Sequence, residues 1–122
     1  MLKDALFKIT LSHHQEGIIN ATLELNKKNE IFTGHFPGEP VLPGACMLQM
    51  VKEVLESTLN MPFTLKKADQ IKFLDLIDPR INNILQLTIV YRSANDNNVS
   101  VTASLTAHKD TCFKFRGTFI AQ

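Results

Sequence analysis

Residues 34–60 read GHFPGEPVLPG followed by ACMLQMVKEVLESTLN, and the change of texture at Gly44 organises the rest of the chain. The first eleven of these residues contain three prolines and three glycines. Proline fixes its backbone angle and has no N–H to give to a ladder, so this stretch predicts a stiff loop, not helix or central strand. Over residues 45–60, Met47, Leu48, Val51, Val54, Leu55, Thr58 and Leu59 return at steps of three and four. Gln49, Lys52, Glu53, Glu56 and Asn60 occupy the opposite stripe. That spacing predicts an amphipathic helix of about four turns. Pro62 closes it, because the helical ladder cannot run through a proline.

Outward from this helix the period drops to two. Phe7, Ile9 and Leu11 fall on one side of a first run, and Ile19, Ala21, Leu23 and Leu25 on one side of a second. Beyond the helix, Leu85, Leu87, Ile89 and Tyr91 alternate with polar neighbours, as do Val99, Val101, Ala103, Leu105 and Ala107, then Phe113, Phe115 and Phe119. Alternation rich in β-branched and aromatic residues predicts strands with one buried face. The polar cluster at residues 94–98 is expected to close a hairpin, and Lys109-Asp110 a shorter one. Asp78-Pro79 is expected to break a strand ending near Ile77. The order is strand, strand, helix, four strands. One helix among antiparallel strands buries its stripe on the concave side of the sheet, an α+β arrangement filling one domain over residues 1–122.

A formal net charge of +1 over 122 residues lacks the basic excess of a nucleic-acid binder. No apolar run reaches the roughly 18–20 residues of a membrane span. The N-terminal residues lack the order of a signal peptide, so a cytoplasmic location is expected. Cys46 and Cys112 have no metal-ligand spacing, and neither a metal nor a cofactor is expected. Both read as buried small apolar residues.

The loop and the helix start carry the chemistry. His35 is the titratable side chain at the head of the stiff loop, and an imidazole pKa of about 6.5 suits proton transfer near neutral pH. Pro43-Gly44 leads into the helix, whose first N–H groups have no internal partner and carry positive partial charge. Glycine lets a ligand approach that backbone closely. Together they suit chemistry next to a thioester carbonyl, with the helix start acting as an oxyanion hole.

Gly-His-Phe-Pro-x-x-Pro, two apolar residues and Pro-Gly before a helix resembles the hallmark of bacterial 3-hydroxyacyl-(acyl carrier protein) dehydratases. Lys72-Phe73 and the run to Asp78-Pro79 look like that family's Lys-Phe strand and its turn. The resemblance implies a hot-dog fold, a curved antiparallel sheet wrapped around one helix. It implies a homodimer, with some members joining three dimers. The implied reaction is loss of water from a 3-hydroxyacyl chain on the phosphopantetheine arm of an acyl carrier protein. On the same resemblance, His35 matches the catalytic histidine. Gly44 matches the glycine whose N–H binds the thioester carbonyl, with Phe36 and Pro43 as substrate-binding neighbours.

At one position the chain departs from the pattern. The family's second catalytic group is Glu or Asp five residues after the glycine, and this chain has Gln49 there. An amide donates and accepts hydrogen bonds but does not release a proton at pH 7. Many members carry Gln one turn later, where this chain has Glu53, so the pair looks exchanged. Two readings of Glu53 stand: it reaches the site, directly or through a water, or it belongs to the polar stripe, ion-paired or solvated. The substitution also keeps open a hot-dog thioesterase and a non-catalytic subunit that binds acyl carrier protein or completes a heterodimer. His13, His14 and His108 read as surface residues. Met47 and Met50 read as helical core. Lys66, Lys67, Lys72 and Arg80 read as solubilising charges, with steering of an acidic carrier as the alternative.

Overall fold

In a computed structural model, which describes residues 1–34 and 40–122, the alternating runs form six strands. They are β1 (Phe7–Gln15), β2 (Ile18–Leu25), β3 (Phe63–Phe73), β4 (Ile84–Ser93), β5 (Asn98–Ala107) and β6 (Asp110–Ala121). One antiparallel sheet holds them all in the order β1-β2-β4-β5-β6-β3, leaving β1 and β3 at its edges. A short helix α1 (Ile31–Gly34) precedes the long helix α2 (Gly44–Leu59). The expected hot-dog arrangement is the one found.

The period of two has the anticipated consequence. Ile19, Ala21, Leu23 and Leu25 of β2, Leu85, Leu87 and Ile89 of β4, and Val99 through Ala107 at every second position of β5 are buried. Phe113, Phe115 and Phe119 of β6 join them, and α2 lays Cys46, Met47, Met50, Val51, Val54 and Leu55 against this face. Each Leu, Val, Met or Phe removed from water contributes about 1.5–3 kcal/mol, which is what holds helix and sheet together. Asn60 caps α2 in a left-handed conformation (φ 55°), returning its N–H to the Glu56 carbonyl. The helix therefore stops before Pro62 is reached. The hairpin at residues 94–98 closes through a 3₁₀ turn at Asn95–Asn97, with Asp96 and Asn97 at positive φ.

Two expectations are corrected. Leu11 does not share the buried face of Phe7; it is 70% exposed. The β1–β2 register slips between Ile9 and Leu11. One additional residue inverts every later side chain of a period-two pattern. β3 ends at Phe73, four residues before Ile77. Among the described residues its only partner is β6, and the ladder stops where Phe73 meets Phe113, close to where β6 turns back to β5. The chain then runs irregularly to β4. Ile77 stays buried, but its carbonyl accepts a hydrogen bond from the Leu42 N–H at 2.8 Å. This bond ties the end of the Pro/Gly loop to the segment that follows β3.

Candidate active site

α2 starts at Gly44, behind an extended Pro43 (φ −63°, ψ 145°) that offers no side-chain cap. The amides of Cys46 and Met47 turn back to the Pro43 carbonyl at 3.0 and 3.3 Å. Pro43 thus places no side-chain cap on the first N–H groups of the helix, which suits this end to stabilising an oxyanion. Phe73, at the end of β3, lies directly against Gly44. A Cβ at Gly44 would stand 2.6 Å from its Cε1 and 2.7 Å from its Cζ. The ring is more than half exposed, and its other contact is Phe113, with centroids 5.4 Å apart. A side chain at this position would have to displace the Phe73 ring. Phe73 is a site neighbour that the sequence reading left in its strand motif.

One and a half turns along α2, Gln49 donates its Nε2 to Glu53 Oε2 at 2.8 Å. Glu53 also receives the Leu2 N–H on both oxygens at 2.9 Å and the Lys3 N–H on Oε1 at 2.7 Å. It is 1% exposed, the one buried charged residue among the described residues. Burial by itself raises its pKa. The hydrogen bonds from Leu2, Gln49 and Lys3 outweigh that and hold the carboxyl below the ordinary glutamate range. Glu53 is thus neither solvated nor paired with a lysine. The Lys3 ammonium turns to Asp4 at 3.2 Å, and Lys52 to Glu56 at 3.9 Å. The signal available in the sequence was a charge at a helical position followed by Val54 and Leu55. What it could not supply was the pair of backbone amides from residues 2 and 3.

His35 and Phe36 lie outside the described residues. Of the remaining candidates, the structure puts Pro43 and Gly44 at the helix start and joins Gln49 to Glu53. Burial pushes the thiols of Cys46 and Cys112 up, in keeping with packed residues. Met47 and Met50 are core. His13 and His14 are exposed, with His14 Nε2 bonded to the Tyr91 hydroxyl, and His108 is exposed in the β5–β6 turn. Lys67 faces Asp69 at 3.3 Å, Lys66 faces Asn98 at 3.3 Å, and Arg80 grips Asp78 at 2.8 Å. Among the described residues, no helix is long and apolar enough to cross a membrane.

Comparison with known proteins places this geometry. The family model described as ApeI-like, ApeI dehydratase, matches residues 11–116. A 3-hydroxyacyl-[acyl-carrier-protein] dehydratase FabZ of Rickettsia felis is 31% identical over 103 residues, 78% of this chain and 68% of the relative. Among solved structures, the dehydratase heterocomplex ApeI:P of Xenorhabdus doucetiae superposes with a TM-score of 0.73 at 20% identity, over 90% of this chain and 96% of that one. A hypothetical thioesterase with coenzyme A from Streptococcus pneumoniae reaches a TM-score of 0.69 at 10% identity, covering 95% and 85%. These two structures share the fold, so the fold alone does not choose between dehydration and thioester hydrolysis.

Proposed function

The chain belongs to the ApeI-like dehydratase family, and from that membership we propose that it dehydrates a 3-hydroxyacyl thioester on the phosphopantetheine arm of an acyl carrier protein. The observation that carries this is the family match itself, which spans the His35 loop, the helix start at Gly44 and the strands around them. The curated relative's stated activity supports the same substrate class. The uncapped start of α2 supports the mechanism.

In that mechanism the thioester oxygen accepts the Gly44 N–H, and positive partial charge at the helix start stabilises the enolate-like charge that develops there. His35 takes the proton from C2. The C2 electron pair becomes the new double bond to C3 as the C3–O bond breaks. The hydroxyl takes up one proton, from Glu53 or from the His35 imidazolium returning the one it took, and departs as water, leaving the trans-2-enoyl thioester. Gln49 holds the hydroxyl. Pro43 and Phe73 line the approach to the carbonyl, and Phe36 is assigned to substrate binding on the family resemblance alone.

The active form is proposed to be a homodimer, open to further assembly as three dimers. The exposed Phe73 at the end of edge strand β3 and the exposed Leu74, Leu76 and Ile81 that follow it support this, since exposed large apolar side chains suit a protein interface. The expected cytoplasmic location belongs to the same reading. Purified protein given a 3-hydroxyacyl carrier-protein thioester should develop enoyl absorbance, and His35→Ala should lose it by about 10²–10⁴-fold. Release of free thiol without an enoyl product would select the thioesterase instead.

A further inference from the structure

The carboxylate of Glu53 has no free face. Leu2 N–H sits on both oxygens, Lys3 N–H on one, and Gln49 Nε2 on the other, all between 2.7 and 2.9 Å. Every one of these partners is a donor. An ionised carboxylate accepts them all, whereas a protonated one would have to turn an O–H toward an N–H. The same geometry removes the ambiguity of the Gln49 amide. Only its NH₂ can face an ionised carboxylate, so its carbonyl oxygen must point the other way, with one N–H left over. The strap carrying Leu2 and Lys3 lies outside the span matched by the family model, as residues 11–116 begin after it.

We propose that Glu53 is a positioning residue: it fixes Gln49 with Oε1 presented to the 3-hydroxyl, and neither residue supplies the proton for the departing water. This rests on the dehydratase reading above. The hydroxyl donates its hydrogen to Gln49 Oε1. Its lone pairs then face the group that removed the C2 proton, which returns that proton as the C3–O bond breaks. One group takes and returns the proton, and proton count and charge balance without a second acid. The N-terminal ammonium adds a Coulombic pull that favours the ionised Glu53 carboxylate, and the other charged neighbours are paired elsewhere. Lys3 from the strap is turned to Asp4, and within α2 Glu56 is paired with Lys52.

The test is the pH dependence of dehydration for the wild-type protein, with KM and kcat for two variants. For the wild type, kcat/KM should rise through the imidazole range and then stay level to about pH 9. A general acid in the Glu53–Gln49 pair would instead give a falling alkaline limb. Glu53→Gln frees Gln49 to turn over, and kcat should fall by roughly two- to tenfold, about one hydrogen bond's worth, with the shape of the pH profile unchanged. Gln49→Leu leaves Glu53 its two backbone donors and should lower kcat by a similar factor, again without changing the profile. An alkaline limb in the wild type that disappears in Glu53→Gln, with a loss of about 10²–10⁴-fold, would overturn the proposal and make Glu53 the acid. Unchanged kcat in Gln49→Leu would overturn it too. A wild type inert toward every 3-hydroxyacyl thioester would be a failure of the dehydratase reading, and is distinguishable from both. Should Glu53→Gln fold poorly, the wild-type profile and Gln49→Leu still decide.

Discussion

Gly44 shows how one side chain's absence serves two ends. A methyl there would press on the Phe73 ring at 2.6 Å, and that ring is the exposed far end of a side chain that can swing aside. Gly44→Ala should therefore fold, with a stability change of about 1 kcal/mol or less, while losing at least about tenfold in kcat/KM as the methyl crowds the carbonyl position. Thermal unfolding and dehydration kinetics on the same preparation check both halves. Glu53 makes a separate claim about stability. Its folded pKa lies below its unfolded value, so its contribution is full above about pH 4.3 and is lost as the pH falls through the lower folded value. Wild-type Tm should drop more steeply than that of Glu53→Gln on acidification from pH 6 to about pH 3. At neutral pH the variant should be about 1.5–3 kcal/mol less stable, the value of hydrogen bonds to a charged group. Parallel slopes would remove Glu53 from the acid transition.

At the scale of elements, legibility followed burial. β2, β4, β5 and β6 each have one face against α2, so alternation in the sequence translated directly into strands, and the three- and four-residue recurrence into the helix. The edges were harder. At β1 a bulge after Ile9 turned Leu11 outward, and no residue type there announces a register slip. At β3 the strand length is set by where β6 stops pairing, a fact about another part of the chain. The two register shifts in β3 flank the Ala68–Gly117 pair, where the missing side chain of Gly117 lets the β3 backbone at Lys67 press in. A Cβ at Gly117 would meet that backbone oxygen, which has no flexible tip to yield. Gly117→Ala should therefore cost about 1–3 kcal/mol and loosen β3 first, seen as loss of amide exchange protection in β3 before β5. The candidate site divides the same way. Pro43 and Gly44 stood out from their residue types and Gln49 from the family resemblance, whereas the contacts of Phe73 and of the Leu2–Lys3 strap depend on tertiary approach.

For the molecule as a whole, one group of the apolar residues left outside the core lies close together in sequence. Phe73, Leu74, Leu76 and Ile81 follow the end of β3, and Leu76 and Ile81 are more than 70% exposed. A covered interface there would adjoin the Gly44 helix start, so assembly and activity should fail together. Leu76→Asp should shift the protein from dimer toward monomer in sedimentation while the monomer's Tm stays within about 0.5 kcal/mol equivalent, because the side chain is outside the core. A variant that remains dimeric and active would move the interface elsewhere. The decisive measurement is the intact mass of a 3-hydroxyacyl carrier protein before and after incubation with the purified chain. The expected result is loss of one water with the acyl thioester still attached, absent when His35 is replaced by Ala. A carrier protein recovered with its hydroxyacyl group untouched, or stripped to the free thiol, would contradict it.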